Sequence, residues 1–303
     1  MTRIFPVAVK RSAVAVRLAK SFYDLRNRKL EKVIFTATTG RSGTDSLSEV
    51  FKSVPSCHAV HEPYPVMNDE WLRSATFDDI DLTDQFYRKV KSIYIRRSAL
   101  GARYYFESNH QFIKTFIAPA IRDFGSRLEV VHLVRPALQV ATSIYRLRDW
   151  PGTEIGNAWW LDYRAPTNRI RISSLLESDR EFSHPFYRAL WYWYETEARI
   201  TYWRLIFPKT KFHYFETNWI NDLTRVSNLM ESLGIKCELN KLSAIVGVRK
   251  NDIVKRNGKK FFDLAVAEVM HERFRALLEE KGYLASVHSE SSLRDDVGIA
   301  GCP

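Results

Sequence analysis

Residues 33–51 read VIFTATTGRSGTDSLSEVF, and this stretch decides the fold. Its first residues are apolar and β-branched, as in a strand buried within a sheet. A turn of Gly, Ser, Thr and Arg follows, and an amphipathic helix begins at Thr44. That order aims several backbone N–H groups and a helix N-terminus at one point, an arrangement suited to phosphate-like oxygens. Gly40 and Gly43 let the backbone curl and approach closely. Arg41 adds a planar cation, and Ser42 and Thr44 add hydroxyl donors. Thr39, Gly40, Arg41, Ser42, Gly43, Thr44 and Asp45 are therefore the candidate anion-binding residues. No Lys precedes the last hydroxyl residue, so the spacing of an ATPase loop is missing. The β,γ-phosphates of ATP are not the expected anion.

Outward from this stretch, strands and helices alternate. Strands are expected over Lys32–Ala37, Cys57–His61, Arg103–Glu107, Leu128–Val134 and Lys211–Phe215. Helices are expected over Thr44–Lys52, Leu82–Leu100, Gln111–Phe124, Ala137–Arg148, Pro185–Ile206, Trp219–Leu233 and Phe261–Lys281. The pattern predicts an α/β, P-loop-like three-layer fold with a central parallel sheet flanked by helices. Right-handed crossovers then put the carboxyl ends of the strands, and any ligand, on one rim. Asp149–His184 breaks the rhythm with two Pro, two Gly and several Trp and Arg, and is expected to be a lid or acceptor-binding insertion. Residues 1–30 read as a basic amphipathic segment, 31–285 as the α/β domain and 286–303 as a polar tail.

The 303 residues carry 45% hydrophobic side chains, with 8 Trp, 14 Tyr and 18 Phe, enough for a substantial core. No run of about 18 apolar residues predicts a membrane-spanning helix. Cys57, Cys237 and Cys302 are odd in number and far apart, against a disulfide framework or a metal knuckle, and the expected setting is a reducing cytoplasm. A net charge of +11 favours anionic partners, whether nucleic acid, acidic lipid or a polyanionic cofactor. Residues 1–23 hold five Lys/Arg and no acid, and Val14, Leu18, Phe22 and Leu25 share one helical face. Three readings are open for this stretch: a helix packed on the domain, a peripheral membrane contact through residues 1–25, or an organelle-targeting peptide.

Residues 128–146, LEVVHLVRPALQVATSIYR, form a second telling segment. An apolar strand ends at Arg135, Pro136 marks a helix start, and the helix carries Ser143. Arg135 and Ser143 could grip one phosphate from two sides. Together, TTGRSGT and the Arg135–Ser143 pair resemble the cofactor signature of sulfotransferases that use 3′-phosphoadenosine 5′-phosphosulfate (PAPS), more closely the bacterial and carbohydrate branch. The likeness runs from Val33 to about Leu233, with Phe215-Glu216 similar to the family's YED-type segment. In that family the first loop cradles the 5′-phosphosulfate and the Arg–Ser pair binds the 3′-phosphate. The chain departs from the pattern twice. Pro136 directly follows Arg135, and Glu107-Ser108-Asn109-His110 stands where many relatives carry Lys.

The resemblance implies transfer of a sulfuryl group to a hydroxyl of a carbohydrate, glycolipid or small metabolite, without a metal. Glu62, just past the second strand, is the expected base, with His61 and His58 as competitors and Arg41 as the cation at the reacting group. Asn109 and His110 at a strand tip, and Trp159 in the insertion, are expected at the acceptor. A late basic stretch offers Arg249, Lys250, Lys255 and Arg256 to the nucleotide's phosphates. The rival readings are a P-loop-type kinase, which lacks its loop Lys here, and a nucleic-acid or membrane-surface binding protein without catalysis. Nucleic acid is not expected, because no recognisable module for it is present.

Overall fold

A computed structural model describes residues 12–246 and 263–287. Five strands, β1 (Lys32–Ala37), β2 (Cys57–His61), β3 (Tyr104–Ser108), β4 (Leu128–Val134) and β5 (Lys211–Glu216), form one sheet in the order β2-β3-β1-β4-β5. Every pairing is parallel, as the alternating pattern predicts. The principal helices are α1 (Ala13–Arg26), α2 (Thr44–Lys52), α3 (Ser92–Ser98), α4 (Ile117–Phe124), α5 (Ala137–Leu147), α6 (Pro185–Ile206), α7 (Leu223–Ser232) and α8 (Leu264–Glu280). The described residues gather into two compact units, 12–135 with 208–246, and 136–207 with 263–287.

The first unit holds the whole sheet. Successive side chains on a strand point to opposite faces, so β1 serves two cores. Ile34 packs with Leu47, Val50 and Phe51 of α2 and with Val226, Leu229 and Met230 of α7. Phe35, on the other face, stacks on Phe112 at 4.6 Å and meets Phe116 and Tyr105 edge-on. Every residue of β4 is buried, as expected of a central strand covered on both faces. Its one acid, Glu129, is held by Lys32 at 2.6 Å and His213 at 2.7 Å.

Two expected helices are interrupted by wide π-helical turns. Leu82–Leu100 is realised as Ile80–Phe86, a π turn at Tyr87–Lys91, then α3. Gln111–Phe124 becomes a π turn at Phe112–Phe116 followed by α4. Pro119 has no N–H to return to Thr115, so the i→i−4 ladder is broken at that joint. The expected Trp219–Leu233 helix is divided too. A 3₁₀ turn spans Thr217–Asn221, and Asp222 caps α7 by accepting from Thr224 N at 2.9 Å and Arg225 N at 3.1 Å.

The second unit is helical and centres on α6. From Phe186 to Ile200 nearly every α6 residue is buried, so this helix is enclosed on all sides. Residues 149–184, expected as a lid or acceptor-binding insertion, pack within this unit. Trp160, Leu161, Tyr163, Ile170, Ile172 and Leu176 are buried. The Glu195 carboxylate accepts from the backbone N–H groups of Arg169 and Ile170 and from Arg199 Nε at 2.7 Å, while Trp191 Nε1 donates to the Ile170 carbonyl at 2.9 Å. Aromatic bulk and buried polar partners fix this segment, although it lacks long periodic elements.

Candidate functional site at the carboxyl rim of the sheet

The connection leaving β1 leads to one edge of the sheet and that leaving β4 leads to the other. A parallel sheet opens a crevice between the carboxyl ends of two such strands. The loop after β1 fills this place. Gly40, Arg41 and Gly43 all have left-handed backbone, with φ of 78°, 54° and 78°. Arg41 lies outside the region comfortable for a side-chain-bearing residue, a strain that concentrates at ligand sites. Gly43 is the N-cap of α2 and offers no side chain to it. The N–H groups of the first turn of α2 have no acceptor within the helix and carry its positive end.

The hydroxyls of this loop differ in what they do. Thr39 Oγ1 and Ser42 Oγ lie 2.9 Å apart and both donate toward the Gly40 carbonyl, at 2.8 and 2.9 Å. They are buried and stiffen the loop, where the sequence suggested that Ser42 faces a ligand. Thr44 is buried at the start of α2, and Asp45 sits in its first turn, where an acid complements the helix dipole. Thr38 Oγ1, fully buried between β1 and the loop, has no hydrogen-bond partner among the described residues. A buried orphan hydroxyl marks a place for a further oxygen-bearing group.

Two neighbouring strand tips brace the loop. Arg135, just past β4, donates from Nη1 to the Arg41 carbonyl at 2.8 Å. Thr217, just past β5, donates from Oγ1 toward the Ser42 carbonyl at 2.7 Å and the Val134 carbonyl at 3.1 Å. A Cβ on Gly43 would meet the Thr217 methyl at 3.0 Å and Ile220 at 3.2 Å. The two sequence signatures thus meet at the Arg41 carbonyl.

A charged relay lies on the β2–β3 side of the same rim. Lys114, in the π turn after β3, places Nζ 2.6 Å from His110 Nδ1, and His110 Nε2 stands 3.3 Å from Glu62 Oε1. An ammonium only donates, so Nδ1 accepts and the ring proton sits on Nε2, pointing at the carboxylate. Burial pushes the Glu62 carboxyl up from its ordinary range, against the opposing pull of His61, Lys114 and Arg41. Burial likewise drives His110 well below the usual imidazole value, and Lys114, His61 and Arg41 add to it, so the ring stays neutral. Glu62 itself has φ +42°, and its Oε2 makes no hydrogen bond among the described residues.

The remaining expected site residues are placed as follows. His61 ends β2 and is held through Nδ1 by Ser108, at 3.0 Å from Oγ and 3.2 Å from the carbonyl. Asn109, expected at the acceptor, is fully buried, and its amide donates to Glu107 at 2.9 Å while Oδ1 accepts from Gln111 N. Glu107 also receives Tyr105 at 2.6 Å and pairs with Lys91 at 2.6 Å, so Asn109 belongs to a sealed polar network beneath the rim. Ser143, two turns into α5, and Trp159, at the end of the Glu154–Trp159 helix, are half-buried residues of the second unit. Arg249, Lys250, Lys255 and Arg256 lie outside the described residues. Among the described residues no group of three or more His, Cys, Asp or Glu could hold a metal.

Sequence reasoning missed Lys114 and Thr217. Lys114 was detectable, since it follows His110 by four residues and would share its helical face. Thr217 carried no signal, because its role depends on β5 lying beside β4.

No family model and no curated protein matches this chain. Among solved structures, it is similar to a sulfotransferase domain from the curacin biosynthetic pathway, with 13% identity and a TM-score of 0.44 over 82% of this chain and 98% of that one. It is also similar to a sulfotransferase from Alicyclobacillus acidocaldarius, with 13% identity and a TM-score of 0.40 over 81% of this chain and 95% of that one.

Proposed function

We propose that this chain is a sulfotransferase that takes PAPS as donor and a hydroxyl-bearing acceptor. The observation that carries the reading is the convergence of the loop 38–43, Arg135 and the Glu62–His110–Lys114 relay on the carboxyl rim of one sheet. Left-handed glycines, a helix N-terminus, an orphan hydroxyl at Thr38 and the cations Arg41 and Arg135 make a donor set fitted to anionic oxygens. Bound there, PAPS supplies a sulfuryl group on an adenosine bisphosphate leaving group.

The chain's own residues divide the remaining tasks. The loop N–H groups and Arg41 stabilise negative charge that grows on the leaving oxygen. Glu62 takes the acceptor's proton at Oε2, while His110 Nε2–H fixes Oε1 and so sets the carboxylate's angle. Lys114 keeps His110 in the tautomer that can do this. Arg135 adds a cation beside the loop, and the resemblance pairs it with Ser143 at the 3′-phosphate. A carbohydrate, glycolipid or small metabolite is the proposed acceptor class, on that same resemblance.

Calorimetric titration of the full chain with 3′,5′-adenosine bisphosphate, with ATP as control, tests the donor assignment. Binding of the bisphosphate at least about tenfold tighter than ATP is expected, a difference of about 1.4 kcal/mol. Equal or tighter binding of ATP would overturn it in favour of a kinase.

A further inference from the structure

We infer that α1 docks the protein side-on against an anionic lipid surface. The four apolar residues that share one face of this helix do not pack on the unit that carries it. Val14 is 68% exposed, Leu18 65%, Phe22 51% and Leu25 57%, a continuous stripe along the outer side. The opposite side is fastened. Val16 is buried, Lys20 Nζ reaches Asp123 at 3.1 Å, Arg96 Nε donates to Asp24 at 2.8 Å, and Asn27 Nδ2 donates to the Arg96 carbonyl at 2.6 Å. The stripe is therefore held outward by a polar lock, and exposing four large apolar side chains in line has a cost that a partner would remove.

Charge identifies the partner. Arg17 and Arg26 are exposed and flank the stripe on its two sides at helical spacing, and the Arg26 guanidinium lies 5.3 Å above the Phe22 ring. Arg28 and Lys29 follow in the next turn and are exposed. The acid of this helix, Asp24, is consumed by Arg96 on the packed side. In sequence, Arg3, Lys10 and Arg11 precede it with no acid. An apolar stripe between cationic flanks matches a bilayer interface bearing acidic headgroups, where the apolar residues enter the acyl boundary and the guanidinium groups stay with the phosphates. A 14-residue helix is about 21 Å long, short of the roughly 30 Å hydrocarbon layer. No helix among the described residues is long and apolar enough to cross a membrane. The geometry is that of a helix lying on the surface.

The test is co-flotation of the full chain with vesicles of phosphatidylcholine alone, or of phosphatidylcholine and phosphatidylserine in equal parts. Binding to the mixed vesicles only, falling with added salt, is expected. Leu18→Asp/Phe22→Asp should lower partitioning by more than about tenfold. Arg17→Gln/Arg26→Gln should lower it about fivefold for each cation removed, while Leu205→Asp, at an exposed apolar residue of α6, should leave it unchanged. All altered side chains are exposed, and unchanged thermal melting would show that the variants fold. Absence of binding to mixed vesicles, or binding indifferent to Leu18→Asp/Phe22→Asp, overturns the inference. So does a concentration-dependent dimer in sedimentation that this double variant disperses without any vesicle binding. Binding that appears only once residues 1–11 are removed would show that the chain covers its own stripe, and would also overturn it.

Discussion

Arg135 Nη1 donates to the Arg41 carbonyl over 2.8 Å, so the tip of β4 holds the loop after β1 at its most strained residue. The guanidinium does two things at once. It places a cation beside the candidate anion-binding loop and holds the peptide plane between Arg41 and Ser42. Arg135→Ala removes both. Hydrogen bonds from charged groups are worth about 1.5–3 kcal/mol, so affinity for 3′,5′-adenosine bisphosphate should fall between about tenfold and a hundredfold. Arg135→Lys keeps the charge without the planar fork and should recover only part of it. Calorimetry on the two variants checks the order.

Glu62→Gln should leave that affinity nearly unchanged and cut turnover with a hydroxyl acceptor by about 10²–10⁴-fold, the usual range for a general base. Unchanged turnover in this variant would remove Glu62 from the mechanism. His61→Ala serves as the comparison, since its ring is committed to Ser108.

The pH profile follows from the same carboxylate. Burial raises Glu62, and only its ionised form accepts a proton, so the acid limb of turnover should lie above about pH 4.3, the value of an ordinary Glu. Lys114 opposes that rise, so Lys114→Met should shift the limb to still higher pH. A rate profile of both proteins decides this, and a limb that stays in place would separate Lys114 from Glu62.

Gly43→Ala puts a Cβ 3.0 Å from the Thr217 methyl at a φ of 78°. The left-handed conformation alone costs about 1–2 kcal/mol for a residue with a side chain. A thermal melt should show that loss, and nucleotide affinity should fall with it because the loop must shift.

Beneath the rim, Lys91 and Glu107 are both fully buried and 2.6 Å apart. Lys91→Met would strand the Glu107 carboxylate, a change expected to destabilise the fold by about 3–5 kcal/mol in urea unfolding. Adding Glu107→Gln should restore part of that loss, because no uncompensated charge then remains.

The sheet was legible because its strands are apolar, β-branched and separated by clear turn residues. Four of the five expected strands begin where the structure begins them, and β3 is displaced by one residue. The loop was legible because Gly40 and Gly43 sit where left-handed backbone is needed. What escaped detection depends on tertiary context. A π turn such as Phe112–Phe116 has no sequence period of its own, although the four-residue spacing from His110 to Lys114 was readable. Asn109 has the composition of a ligand-facing strand tip, yet the buried Glu107 claims its amide. The composition of 149–184 suggests a lid or acceptor-binding insertion, and only Trp191 and Glu195, 21 and 25 residues after Ile170, reveal what holds the segment in place.

Thr217 bridges the Ser42 and Val134 carbonyls from the end of the final strand. During synthesis, the ribosome releases residues 33–51 long before it releases Thr217, and loop closure across so long a separation is slow. The cradle is consequently completed late: a nascent chain ending before β5 would carry the glycine turn but not the clasp that shapes it.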